Sequence, residues 1–244
     1  MDKIVEIAKK RFRERKTQDV HLVADSKANE LLNDIENNPH VYVLACLMDR
    51  QIKAERAWNI PLQVFDYFGT HEINKLAEIP LEDYKKVFNG KKLHHFNDMM
   101  AEYFYKAILR INETYKGNAA KIWQGKPSSA LVVYRFLEFE GCGIKIATMA
   151  ANLLARLFDV EFSDYYSIEV SPDIHVMRVM KRIGYISQNA DREMAIYKAR
   201  ELNPEFPGII DAFCWDLGTT CCRPVNPKCN ECIINNECKK QIKL

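Results

Sequence analysis

The chain is short of turn-forming residues. It has nine glycines and nine prolines among 244 residues, where average usage gives roughly 29 of the two together. A β-sandwich or barrel needs a turn every ~8–12 residues, so the scarcity excludes those folds and favours a mostly helical one. No apolar run approaches the ~18 residues of a membrane span, so no membrane partner is expected. The opening residues, Met1-Asp2-Lys3-Ile4-Val5-Glu6, lack the apolar core of a secretion signal, and an intracellular, soluble protein is expected. Net charge is also scarce: 35 basic against 33 acidic residues leave +2. That balance permits a nucleic-acid partner only where positive charge is clustered.

At ~150 residues per domain the length makes one large domain or two small ones, enough to bury a core without disulfides. Residues 1–16 read as an amphipathic basic helix with Ile4, Ile7, Ala8 and Phe12 on one side. Its cluster Lys9-Lys10-Arg11-Phe12-Arg13-Glu14-Arg15-Lys16 is a solvated face or a phosphate contact. The stretch Lys91-Lys92-Leu93-His94-His95 is a weaker case of the same kind. A second helix is expected within 18–36, broken by Asn38-Pro39. The apolar pattern of 41–65 reads as two helices divided at Asn59-Ile60-Pro61. Further helical stretches are expected at 71–77, 81–88, 95–115 and 118–123, then at 128–139 and 145–158 on either side of Glu140-Gly141-Cys142-Gly143. Residues 159–170 show no clear period. Ser171-Pro172-Asp173 offers an N-cap acceptor and a proline for the first helical position, and helices at 194–202 and 207–215 follow. The expected fold is all-α with short connections.

The cysteines break this plain picture. There are eight, five of them between Cys221 and Cys238. In a chain without a secretion signal, clustered thiolates hold a metal more often than they form disulfides. The spacing Cys222-x6-Cys229-x2-Cys232-x5-Cys238 has one CxxC with an outlying cysteine on each side. A zinc ribbon prefers two CxxC pairs. The spacing suits a [4Fe–4S] cluster best, with zinc and free thiols as the other readings.

The segment from Asp216-Leu217-Gly218 through Cys222-Arg223-Pro224 and Pro227-Lys228-Cys229 to Cys232 resembles the cluster loop of the endonuclease III superfamily of DNA glycosylases. Those proteins share the D-L-G-x-x-x-C lead-in, the proline two residues before the second cysteine, and this cysteine spacing. The lead-in glycine selects Cys222 over Cys221 as the first ligand. Cys46, Cys142 and Cys214 fall outside the pattern and read as small core or hairpin residues.

Two further segments resemble the same family. Gly141-Cys142-Gly143-Ile144-Lys145-Ile146-Ala147 is similar to its helix–hairpin–helix pattern L-P-G-V-G-x-K-T-A, with Glu140 where the proline usually stands. Two glycines one residue apart permit positive φ and close backbone approach. The amides opening the next helix make an anion site that grips phosphate without reading sequence. Without the motif the segment is an αα-turn. Lys145 occupies the place of the nucleophile in lysine-bearing members; the helix dipole and apolar neighbours favour the neutral amine needed for attack. Asp173-Ile174-His175-Val176-Met177-Arg178 resembles V-D-T-H-V-x-R, whose aspartate is the catalytic carboxylate at a helix N-terminus; alone, Asp173 is a helix cap. Lys145 and Asp173 stand 28 positions apart, further than in the bacterial enzymes this chain resembles. Gln51, after Leu44-Ala45-Cys46-Leu47-Met48-Asp49-Arg50, is the candidate to fill the gap left by an extruded base.

The resemblance implies two helical domains. Residues 38–158 would form a six-helix domain with the helix–hairpin–helix at about 128–158. Residues 1–37 and 159–244 would form a discontinuous cluster domain, with the active cleft between the two. It implies a base-excision-repair glycosylase with β-elimination lyase activity on double-stranded DNA bearing a damaged base or an abasic site. In this reading Lys145 and Asp173 are catalytic. Cys222, Cys229, Cys232 and Cys238 hold a [4Fe–4S] cluster, and Gln51, Gly141, Gly143, Arg223 and Lys228 contact DNA. The protein would be a monomer, cytoplasmic and nucleoid-associated in a prokaryote. A monofunctional glycosylase and a non-catalytic cluster-bearing DNA-binding protein are the alternatives.

Overall fold

In a computed structural model, residues 2–14 and 20–241 are described. They form twelve α-helices and three 3₁₀ turns, and no strand occurs among the described residues. α1 (Lys3–Arg13) is capped by Asp2, whose carboxylate accepts the amides of Ile4 and Val5. Arg15 and Lys16 of the basic cluster, with Gln18, lie outside the described residues. α2 (Ser26–Asn33) starts at an Asp25 cap and packs on α3 and α4.

α3 (Pro39–Met48) is buried at every position, as an apolar helix without a polar face must be. It packs against α4 (Ala54–Phe68), α7 (Asn97–Thr114) and α9 (Ile144–Leu157). Tyr42 on α3 sets its ring edge-on to Trp58, Trp123 and Phe158, and its hydroxyl donates to the Ala150 carbonyl at 2.7 Å. Around this centre lie α5 (Ile73–Glu78), α6 (Leu81–Lys91) and α8 (Ser129–Leu137). The remaining helices are α10 (Ile174–Ile183), α11 (Arg192–Leu202) and α12 (Asp211–Thr220). α10 packs on α12, and α1 packs on the turn Pro207–Ile210.

Three local expectations are corrected. The 41–65 stretch divides at residues 49–53, and Pro61 stands inside α4. A proline there removes one helix bond and crowds the carbonyl four residues back. Burial of Ala57, Trp58, Ile60, Leu62, Val64 and Phe65 outweighs that cost. The break falls instead where Gln51 takes a left-handed φ of 56°. Second, Pro172 precedes the cap of α10 and is not its first residue, because Asp173 itself is the cap. Third, His94 is buried and Leu93 belongs to the core, so residues 91–95 form no basic face. The irregular segment 159–170 lies partly in the core, with Phe162, Ile168 and Val170 buried. Tyr165 stacks on Phe206 at 5.0 Å.

Candidate active site

Between α8 and α9 the chain reverses over six residues, 138–143. Phe139 and Cys142 turn into the core, and Gly141 takes φ +83°. A Cβ at Gly141 would lie 2.4 Å from Cδ2 of Tyr103, whereas one at Gly143 would meet nothing within 4 Å. Gly143 is exposed and serves as the cap of α9 with extended backbone. Gly141→Ala is therefore expected to cost about 2–4 kcal/mol, the sum of left-handed strain and overpacking. Gly143→Ala should stay within about 0.5 kcal/mol of the parent, and paired urea titrations check both. Glu140 pairs with Lys106 at 2.8 Å, and Lys106 also holds Glu102 at 2.6 Å. Its charge beside the hairpin is thus offset only in part, since one ammonium serves two carboxylates.

Lys145 is the second residue of α9, and its half-exposed ammonium lies 3.9 Å from Oδ2 of Asp49. Asp49 follows the last turn of α3, and its side chain is only 11% exposed. Asp173 caps α10: its Oδ1 accepts the amides of His175 and Val176, both at 2.8 Å. A fourth group, Asp211, opens α12 and accepts the Ser171 amide at 2.6 Å. Burial pushes the Asp49 carboxyl up from its ordinary value; Lys145 opposes the rise and Asp173 adds to it. Burial likewise raises Asp211 to about 7, with the Ser171 amide, Arg156 and Lys145 pulling down and Asp173 pushing up. One lysine and three carboxylates therefore share a single electrostatic neighbourhood formed by the ends of α3, α9, α10 and α12.

Sequence reading alone finds Lys145 and Asp173 by motif but passes over Asp211. The available signal is an acid inside the apolar run Ile209-Ile210-Asp211-Ala212-Phe213. Gln51 is exposed two residues past Asp49 on the same loop. His175 Nδ1 accepts from the Arg178 guanidinium at 3.0 Å, and its ring faces Trp215 edge-on.

Cys221, Cys222, Cys229, Cys232 and Cys238 line one apolar cavity floored by Val179, Ile183 and Leu217. Among the described residues no three His, Cys, Asp or Glu side chains gather as for a single metal ion. Cys222 Sγ receives Arg182 at 3.6 Å, and Cys238 Sγ receives the Lys240 amide at 3.4 Å. Cys221 Sγ instead faces the Glu231 carbonyl. α10 is bolted to this loop. Arg178 donates to the carbonyls of Cys222 (2.8 Å) and Gly218 (2.7 Å), and Arg182 to those of Arg223 (2.5 Å) and Pro224 (2.9 Å). Arg223 is exposed and donates to the Thr220 carbonyl, while Lys228 pairs with Glu231 at 3.0 Å. Cys46, Cys142 and Cys214 are buried in the core. No described helix is long and apolar enough to cross a membrane.

An all-α chain with a glycine hairpin, a lysine on its second helix and an aspartate capping a facing one has the architecture of helix–hairpin–helix proteins. The comparisons make that class particular. The chain is 21% identical over 207 residues to Endonuclease III of Thermotoga maritima, a match covering 85% of each protein. Its fold matches a trapped endonuclease III–DNA covalent intermediate (estranged-adenine complex) with a TM-score of 0.61 at 16% identity, over 97% of this chain and 93% of the other. It matches a thermostable thymine-DNA glycosylase with a TM-score of 0.58 at 16% identity, over 83% of each chain. No protein-family model matches the chain. In fold, and in sequence over most of its length, the chain is endonuclease III-like.

Proposed function

We propose that the protein is a base-excision-repair DNA glycosylase with abasic-site lyase activity, acting on double-stranded DNA that carries a damaged base or an abasic site. The observation that carries this reading is the convergence of the amine of Lys145 with the carboxylates of Asp49, Asp173 and Asp211 at the helix–hairpin–helix. An amine is superfluous to a glycosylase that activates water, and its place among carboxylates favours covalent catalysis over simple hydrolysis.

The target nucleotide leaves the stack, because its sugar carbon is unreachable inside the duplex. Asp173, positioned by two amides on its Oδ1, faces the positive charge that grows on the sugar as the glycosidic bond lengthens. The lone pair of Lys145 Nζ forms a bond to C1′, and the base departs with the electrons of the C1′–N bond. Ring opening gives a Schiff base, and loss of the C2′ proton then expels the 3′ phosphate by β-elimination. The backbone of Gly141 and Gly143, with Gln51, Arg223 and Lys228, would line the DNA. We divide the chain for this purpose into 38–158 and the joined 1–37 and 159–244, with the cleft between them. A monomer suffices, since all four groups come from one chain, and a prokaryotic cell would hold it in the cytoplasm with its DNA.

The cysteine loop fits a [4Fe–4S] cluster: its cysteines line one apolar cavity, and N–H donors reach Cys222 and Cys238. Cys222, Cys229, Cys232 and Cys238 would hold it. Cys222 is favoured over Cys221 because Arg182 supports its negative charge. When bound, the cluster supplies cross-linking of the loop that α10 leans on.

The test is borohydride trapping on a duplex with one abasic site. Wild-type protein is expected to form a covalent adduct and Lys145→Ala to form less than about a hundredth of it. Equal trapping by both would move the nucleophile elsewhere. Base release without trapping by folded wild-type protein would make it a monofunctional glycosylase.

A further inference from the structure

The geometry points to Asp49, not Asp173, as the group that takes the proton from Lys145 when the amine attacks. This inference rests on the lyase reading above and assigns a residue within it. Asp173 is poorly placed for that duty, because its Oδ1 already accepts two amides at 2.8 Å. Those two bonds hold Oδ1 against the N-terminus of α10, and among the described residues the ion pair of Lys145 is with Asp49 and not with Asp173. Asp49 has the opposite surroundings. Its side chain is 11% exposed, it takes part in no side-chain hydrogen bond among the described residues, and its ionic partner is Lys145, 3.9 Å away. That distance is long for proton transfer, as such contacts often are before substrate is bound.

The groups facing Asp49 are few. Lys145 approaches from α9, Asp173 from the cap of α10, and Cys46 from α3 itself. Asp211 faces Lys145 from α12. Of the three carboxylates, Asp211 is committed to the Ser171 amide and Asp173 to the α10 cap. Among the described residues Asp49 is the carboxylate that pairs with Lys145 within 4 Å. DNA closing over the cleft strips the remaining water, which favours the neutral amine and acid over the ion pair. Two carboxylates in contrasting surroundings then divide the work: one remains an anion and the other carries a proton.

The chemistry balances on an abasic site. A proton passes from the Lys145 ammonium to the Asp49 carboxylate, and the freed lone pair of Nζ bonds to the C1′ aldehyde carbon. After a proton shift within the adduct, Asp49 returns its proton to the hydroxyl oxygen, which leaves as water. The product is the protonated Schiff base, and Asp49 is again an anion. Borohydride, where added, delivers hydride to C1′ and fixes the adduct as a secondary amine.

The experiment follows the single-turnover rate of borohydride trapping against pH for the full-length wild-type protein, Asp49→Asn, Asp49→Glu, Asp173→Asn and Lys145→Ala. In the wild type the competent form is the ion pair, so the rate rises as Asp49 ionises and is then level through neutrality. Asp49→Asn should trap about a hundredfold more slowly at pH 7. Its rate should climb with pH from 6 to 8, where the wild type's is level, because the proton must then pass to a base from solvent and not to the carboxylate. Asp49→Glu should restore the level profile, and Asp173→Asn should keep a level profile at a lower rate. Folded, DNA-binding Asp49→Asn that traps at the wild-type rate, or traps slowly with a level profile, overturns the assignment and leaves Asp49 a structural residue. Trapping by Lys145→Ala equal to wild type, or none by wild type, is a different failure: it removes the lyase reading and this inference with it.

Discussion

Gly218→Ala is expected to lose about a hundredfold in strand cleavage at an abasic site while remaining folded. A Cβ at Gly218 would lie 2.7 Å from Cβ of His175 and 3.2 Å from its Cα. The second of those neighbours is backbone, so α10 and α12 must move apart. His175 is the residue whose amide holds Asp173 Oδ1 at 2.8 Å, and the displacement passes directly to the carboxylate. Overpacking of this kind costs about 1–3 kcal/mol, which a chain of this size survives. A displacement of about 1 Å at a reacting group costs about 10²-fold in rate, which the activity does not survive. Arg178 adds to the loss, since its bond to the Gly218 carbonyl and its bond to the Cys222 carbonyl share one guanidinium. Urea unfolding and single-turnover cleavage on the same preparation check the prediction. A variant destabilised by several kcal/mol but with unchanged cleavage would mean that Asp173 does not depend on this contact.

That contact explains part of what the sequence could and could not reveal. The D-L-G lead-in was legible as a family feature of the cysteine loop, yet the glycine in it also seats α12 on His175, a packing fact with no sequence signature. Lys145 and Asp173 were legible because each lies at the start of a helix whose onset is marked locally, by glycines in one case and by a capping acid in the other. The helices themselves followed from apolar periodicity, and most were placed within a few residues. Pro61 misled, since local backbone chemistry favours a break there and only the burial of α4 on α3 overrides it. Asp49 and Asp211 mark the opposite limit. Each sits at the end of an apolar helix or the beginning of one. Their meaning comes from what lies opposite in space, across separations of 96 and 66 residues from Lys145. No period or spacing encodes such a meeting.

Asp211→Asn is expected to stabilise the protein, and to do so only at neutral and alkaline pH. The folded-state carboxyl is raised from 3.8 to about 7, so the native state binds this proton more tightly than the unfolded chain does. Below about pH 4 both states are protonated and the group contributes no pH dependence. As pH rises from about 4 to about 7 the unfolded chain ionises freely, the native state does not, and stability falls. Above 7 the folded protein bears the full cost of a desolvated anion, about 4 kcal/mol for a rise of that size. Asparagine at 211 keeps an oxygen for the Ser171 amide, now 2.6 Å from Oδ1, and removes the charge. The variant should therefore melt about 10 °C higher than the parent at pH 8 and nearly with it at pH 4. A uniform gain at both pH values would assign the effect to packing and not to ionisation. Asp49 is raised in the same direction and for the same first cause, so Asp49→Asn should show a gain of the same sign. Two acids that lower stability at neutral pH, both within reach of one lysine, are difficult to explain as structural choices. Stability surrendered at a cluster of charge is the signature of a site shaped for chemistry. The pair of melting curves at pH 4 and 8 measures that surrender without reference to any substrate.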